Sequence, residues 1–361
     1  MKNKNVIKTT KKLKIYNLNL SKNYFLLSYN NNLAIINSQP LETLLSVDLN
    51  GKLSNSRLFN NTNCLLLIGN QHDSAFSPNK LVLYDVTTQL VISTIEFNQF
   101  ISNIETSGEF VIISIDNTIF LFRLSNNYSI ERLFSSSCHS NSPLAINFYN
   151  NRLITLAAGN KFGHLQLITH SINLTSTKFI QAHSSKLSAL ALSSDNSLFA
   201  TSSVTGTVVR IWDTNSCKAI HQLRRGSDLA KIFSSSIAFS PDSIHFALIS
   251  DKGTIHLWDL TKQPTSSYSY LSHKYFTPKR SNAQFHLPLL DRHAKHSPFV
   301  TSSQNYAQFD DFEESFNLSW ESNNVIVIAS TFGRLFRLSI PTNVDDNQLQ
   351  LLDFRSFSKL L

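Results

Sequence analysis

Two adjacent arginines, Arg224 and Arg225, stand in the run Leu-Arg-Arg-Gly-Ser-Asp (223–228), between two stretches that each end in Trp-Asp. Consecutive residues of an extended strand project to opposite sides, so two guanidinium groups beside Gly226 can each serve a different pocket. Guanidinium is always charged and presents a planar fork of donors that matches phosphate oxygens. The chemistry this pair suits is therefore the capture of two separate phosphorylated groups. A β-repeat core has no use for it, because Lys and Arg are almost never buried unpaired.

The elements that must position the pair are repeats. SLFATSSVTGTVVRIWD (Ser197 to Asp213) aligns with IHFALISDKGTIHLWD (Ile244 to Asp259), and Trp212 and Trp258 lie 46 positions apart. Each copy has a short β-rich run, a polar turn with glycine (Gly206, Gly253) and a second run closing on Trp-Asp, the pattern of the central strands of a WD-type blade. Lys186 to Asp195 and Ser234 to Asp242 supply a further strand before each copy. Weaker copies of the same rhythm fall at Tyr24 to Asn37, Cys64 to Asp85, Phe110 to Leu124, Leu153 to Thr169 and Val325 to Ile340. With a basic arm and one insertion set aside, the spacing is about 45 residues per repeat, a propeller period. Long amphipathic helical stretches are absent, which removes the support for a parallel α/β fold. The sequence predicts an all-β, seven-bladed WD40-type β-propeller over 14–361, with blade 5 at about 184–223 and blade 6 at about 230–310, preceded by a basic N-terminal arm at 1–13. Glycine is scarce, with 9 in 361 residues, so several turns are expected to be irregular.

The insertion, 262–298, is far longer than an ordinary connection. It carries Lys274, Lys279, Arg280, Arg292 and Lys295 against the single acid Asp291, interleaved with Tyr268, Tyr270, Leu271, Tyr275, Phe276, Phe285 and Leu287. Such a mixture can sink apolar groups below lipid headgroups while its cations stay at an anionic surface, so it is expected to be a membrane-inserting loop. Across the chain, 32 Lys and Arg outweigh 24 Asp and Glu, a balance that favours an anionic partner. Cys64, Cys138 and Cys217 are widely spaced and odd in number, which argues for a reducing compartment. No secretory leader and no stretch near the roughly 20 apolar residues that span a bilayer are present, so membrane contact should be peripheral. No G-x-S-x-G, H-E-x-x-H, P-loop or paired Cys spacing occurs, and neither an enzyme nor a metal or cofactor is expected.

Leu223, Arg224, Arg225 and Gly226 match the Phe/Leu-Arg-Arg-Gly hallmark of the PROPPINs, phosphoinositide-binding propellers of autophagy and of endosome or vacuole traffic, and here the chain resembles that family. The likeness is strongest from Ala182 to Leu260, with a weaker echo at Ser77 to Asp85, similar to family blade 2. It implies a first headgroup site lined by Thr201, Ser203, Gly206, Thr207, Arg210 and Arg224, and a second by Arg225, Gly226, Ser250, Thr254 and His256. Hydroxyls would add hydrogen bonds, the glycines would let the headgroup approach the backbone, and a protonated His256 would strengthen binding on mild acidification. The ligands implied are phosphatidylinositol 3-phosphate and phosphatidylinositol 3,5-bisphosphate, bound by a monomer without nucleic acid. The location implied is cytoplasmic, peripheral on preautophagosomal, endosomal or vacuolar membranes. Pro78, Asn79 and Lys80 would contact an autophagy lipid-transfer protein. Changing both arginines to threonine should abolish vesicle binding and leave thermal stability intact. The rival reading is a WD-repeat scaffold for protein or RNA that does not recognise lipid.

Overall fold

The short apolar runs become the central strands of seven sheets. Cys64–Gly69 and Phe110–Ile115 are buried along their whole length, because a strand covered on both faces has no polar side and reads as one continuous apolar run. A computed structural model describes residues 14–21, 23–59, 63–125, 128–171, 174–261, 278–288, 314–340 and 348–361. Blade 1 comprises β1 (Ile15–Leu20), β2 (Tyr24–Tyr29), β3 (Asn32–Ser38) and β4 (Leu41–Asp48). Blade 2 comprises β5 (Leu53–Phe59), β6 (Cys64–Gly69), β7 (Lys80–Asp85) and β8 (Leu90–Glu96). Blade 3 comprises β9 (Ile101–Ser107), β10 (Phe110–Ile115), β11 (Thr118–Leu124) and β12 (Ile130–Ser137). Blade 4 comprises β13 (Leu144–Tyr149), β14 (Arg152–Ala158), β15 (His164–Ser171) and β16 (Leu174–Gln181).

Blade 5 is built from β17 (Leu187–Leu192), β18 (Leu198–Ser203), β19 (Val208–Asp213) and β20 (Ala219–Arg224). Blade 6 contains β21 (Ile237–Phe239), β22 (His245–Ile249) and β23 (Thr254–Asp259). The chain then returns through β24 (Lys279–Arg280) and β25 (Ala283–His286). Blade 7 is β26 (Phe316–Ser322), β27 (Val325–Ser330), β28 (Arg334–Ser339) and β29 (Gln350–Ser356). The first strands of successive blades meet in order around the ring, and β26 meets β1 to close it. A separate apolar cluster fills each of the seven blade-to-blade junctions, with Phe25 against Phe357 at the closure. The chain is thus a seven-bladed β-propeller. Asparagine and aspartate take over the turn positions that glycine leaves empty: Asn30, Asn50, Asp116, Asn150, Asn151 and Asn196 all adopt positive φ, a conformation these two residues tolerate better than other side chains.

The insertion corrects an expectation. Within 262–298, residues 278–288 are part of the propeller. β25 pairs with β23 as the outer strand of blade 6, and β24 pairs in parallel with β20 of blade 5. Leu287 is buried and Phe285 half-buried in the junction with blade 7, so neither can enter a membrane. Burying them on a sheet that needs a fourth strand outweighs leaving them exposed in a loop. Tyr268, Tyr270, Leu271, Tyr275 and Phe276, like the basic arm 1–13, lie outside the described residues.

Candidate anion-binding site at the boundary of blades 5 and 6

Register assigns each proposed residue to a face. In blade 5, Phe199 and Trp212 pack toward blade 4 while Ala200, Val209, Ile211 and Leu223 pack toward blade 6. Side chains alternate along a strand and partners across a ladder share a face. Thr201 pairs with Arg210, and Arg224 with Val208, so Thr201, Ser203, Arg210 and Arg224 all stand on the face turned to blade 4. In blade 6, Phe246, Leu248 and Trp258 pack toward blade 5, and His256 is the partner of Leu248. Ser250, Thr254 and His256 therefore stand on the face turned to blade 5. The two sets occupy different clefts on either side of blade 5, with the arginine pair between them.

The arginines differ in environment. The Arg224 side chain is exposed and makes no hydrogen bond or ion pair among the described residues. The Arg225 side chain is only 5% exposed and pairs with Asp228. Its Nε donates to the Gly206 carbonyl at 2.6 Å, and its Nη2 donates to the Asp228 carbonyl and, at 3.3 Å, to Asp228 Oδ1. Nη1 has no partner among the described residues. Asp228 also holds Lys252, and the Lys252 hydrogen bond with the nearby Arg225 charge keeps its carboxyl down at about 2. Asp228 was visible in the Leu-Arg-Arg-Gly-Ser-Asp run, but its role as counter-ion depends on the loop folding back.

Thr201 is corrected from ligand to support. It is fully buried, and its Oγ1 accepts from Trp212 Nε1 at 3.0 Å and contacts His183 Nε2 at 2.9 Å. This side-chain chain satisfies three buried polar groups at once, which leaves none of them for a headgroup. Arg210 donates from Nη1 to the Ala182 carbonyl, and burial lowers its pKa. Ser203 contacts Thr205 Oγ1 at 3.0 Å, while Thr207 is half-buried. Gly206 also has a different purpose from the one expected. Its φ is +62°, and a Cβ there would stand 2.0 Å from the Ala230 carbonyl oxygen, so the space it opens is filled by the chain's own loop. At Gly226 an added Cβ would meet only Asp228 Oδ1, at 3.1 Å.

In the second cleft, Ser250 is buried and its hydroxyl has no hydrogen-bond partner among the described residues. Such an orphaned group is costly unless something else satisfies it. Thr254 Oγ1 contacts His286 Nδ1 at 3.0 Å, and His256 Nδ1 contacts Ser281 Oγ at 3.3 Å with its ring stacked on Trp258. Sequence reasoning missed His286 and Ser281, because both arrive on the returning segment.

The expectation for His256 is also corrected. Burial, and then the Arg225 charge, push it down to about 4, and burial with Arg210 does the same to His183. His256 is therefore neutral under mild acid and contributes no gain in binding there. The consequence falls on stability. Protons refused by the folded chain are accepted by the unfolded one, so the contribution is complete above the ordinary histidine value of 6.5 and is lost as pH falls from there toward about 4. The melting temperature should drop across that window, and a His183→Asn/His256→Asn chain should show a shallower drop. An equal slope in both would refute the assignment.

Fold and site together define a propeller with a cationic locus split between the two sides of blade 5. The PROPPIN family model matches residues 55–277, and the chain belongs to that family. It is similar to SVP1-like protein 2 of Neurospora crassa, at 30% identity over 60% of this chain and 49% of that protein. It is also similar to SVP1-like protein 2 of Emericella nidulans, at 33% identity over 58% of this chain and 63% of that protein. The matches thus span about half to three-fifths of those relatives. More distant relatives are named autophagy-related protein 18 in Dictyostelium discoideum and 18e in Arabidopsis thaliana, at 28% and 27% identity over 65% and 63% of this chain and 62% of each protein. Kluyveromyces lactis Hsv2 superposes with a TM-score of 0.72 at 17% identity over 95% of this chain and 99% of that one, a likeness of fold alone. A structure described as a complex of KlAtg21 with the coiled-coil of AgAtg16 gives 0.71 at 16% identity over 96% of this chain and 100% of the other. Among the described residues no helix is long and apolar enough to cross a membrane.

Proposed function

We propose that this chain is a phosphoinositide-binding peripheral membrane scaffold of autophagy or of vacuole and endosome traffic. It recognises phosphatidylinositol 3-phosphate, phosphatidylinositol 3,5-bisphosphate or both through two sites flanking Arg224 and Arg225. The observation that carries this reading is the division of labour at the pair. An Arg224 side chain with no partner among the described residues stands on the blade 4 side with Ser203 and Arg210, while Arg225, whose charge acts on His256, alternates to the blade 6 side together with Thr207, toward the face that carries Ser250, Thr254 and His256. Membership of the PROPPIN family supports it. A single exposed site would be weak, because charge attraction is screened over about 8 Å at physiological salt. Two linked sites make the second capture intramolecular and raise avidity by roughly 10² to 10⁴.

Co-sedimentation with vesicles containing either lipid, against vesicles lacking both, tests the reading; equal binding to all three would end it. Residues 263–277 are the part of the insertion that can be exchanged without removing β24 or β25. Replacing them with a Gly-Ser linker should weaken vesicle binding about ten-fold or more while affinity for soluble inositol 1,3-bisphosphate stays constant, since only apolar insertion is lost. Unchanged vesicle binding would remove the loop from the mechanism.

Protein docking is a compatible second role. Pro78, Asn79 and Lys80 open β7 at the rim of blade 2. Asn79 Nδ2 donates to the Phe97 carbonyl at 2.7 Å, and Lys80 pairs with Glu96 at 3.2 Å. These bonds give a defined surface for an autophagy lipid-transfer protein.

A further inference from the structure

We infer that Arg280 is a ligand-binding residue, forming with Arg224 a two-guanidinium clamp for a doubly charged phosphoryl group on the blade 4 side of blade 5. The inference rests on the function proposed above and extends it to a residue outside the arginine motif. β24 lies against the end of β20 in parallel register, Leu223 opposite Lys279 and Arg224 opposite Arg280. Paired strands run about 4.8 Å apart and their register partners share a face. Exposure follows the same alternation in both: Leu223 is buried and Lys279 half-buried, whereas Arg224 and Arg280 are exposed. Two permanent cations are thereby held side by side.

Neither arginine has an acidic partner among the described residues. Like charges placed opposite one another on a ladder repel, and nothing in the local fold demands that arrangement. β24 is anchored without Arg280. Trp258 Nε1 donates to the Lys279 carbonyl at 3.2 Å, and Lys279 Nζ donates to the Asp259 carbonyl. A phosphoryl dianion between the two forks turns the repulsion into two charge-assisted contacts. Because Arg280 ends the segment that leaves blade 6 after β23, the same anion would fasten that segment to blade 5 and link headgroup capture to the placement of the insertion. An edge charge that merely discourages sheet-to-sheet pairing would give no such coupling.

The test uses the full chain with Arg280→Ala, Arg280→Lys and Arg224→Ala, each checked for an unchanged melting temperature. Probes are phosphatidylinositol 3-phosphate vesicles, soluble inositol 1,3-bisphosphate and inorganic phosphate. Arg280→Ala should weaken binding of both vesicles and soluble headgroup about ten-fold, the loss expected for one charge-assisted contact. Arg280→Lys should recover part of it, since lysine restores the charge without the fork. The Arg224→Ala/Arg280→Ala chain should lose less than the product of the single losses, since the two share one ligand. Wild-type affinity of Arg280→Ala for the soluble headgroup would overturn the clamp, whatever happens on vesicles. Inorganic phosphate binding as tightly as the headgroup would overturn the lipid source of the anion. If the wild-type chain ignores phosphoinositides altogether, the proposed function fails first. If Arg224→Ala loses binding while Arg280→Ala does not, only the clamp fails.

Discussion

An Arg224→Ala chain is expected to lose binding to phosphoinositide vesicles by about a hundred-fold or more while melting at the wild-type temperature. The binding loss combines one charge-assisted contact, about 1.5–3 kcal/mol, with the avidity that a second linked site provides. The stability is untouched because the Arg224 side chain is exposed and makes no internal bond among the described residues. Arg225→Ala should lose binding as well but also melt several degrees lower. Its guanidinium satisfies the Gly206 and Asp228 carbonyls, and orphaning two such groups costs about 2–6 kcal/mol. Replacing both arginines with threonine is therefore not the clean test that the sequence suggests, since it mixes lost ligand contacts with a loosened loop. Vesicle co-sedimentation and thermal melting on the single variants separate the two. An Arg224→Ala chain that sediments like the wild type would dispose of the first site.

Gly206→Val should be the most damaging single change at this boundary, costing about 3 kcal/mol or more and abolishing binding at both sites. Left-handed φ alone costs an L-residue about 1–2 kcal/mol, and the side chain would also collide with the Ala230 carbonyl 2.0 Å from its Cβ. The loop 226–230 would have to move, taking with it the Asp228 that orients Arg225. Gly226→Ala is the control. Its backbone is not left-handed and the nearest obstacle is the flexible end of Asp228, so stability should hold while any headgroup close to that backbone is displaced. Thermal melting of the pair, read beside vesicle binding, checks both; a Gly206→Val chain as stable as Gly226→Ala would show that the loop can relocate freely.

Much of this protein was legible in its residues. The strand pairs Tyr24 to Asn37, Phe110 to Leu124 and Leu153 to Thr169 appear where continuous apolar runs met polar turns, because both faces of a blade are buried along its central strands and period-two pairing is a local property. The arginine doublet and the hydroxyls on neighbouring repeats were readable for the same reason: chain position fixes the face a side chain takes on a strand. What sequence alone left undetermined concerns residues whose partners are remote in the chain. Thr201 reads as one more hydroxyl until Trp212 and His183 converge on it. His256 reads as a titratable switch until Trp258 and Arg225 bury it in its neutral form. Phe285 and Leu287 read as membrane anchors until blade 6 needs an outer strand. The sequence by itself determined the blades and the alternation of side chains between their two faces, though the register moved Thr207 from the first set to the blade 6 side. Only the tertiary structure decided which of those side chains are free to meet a ligand, because burial and pairing are set by segments that come together across the fold.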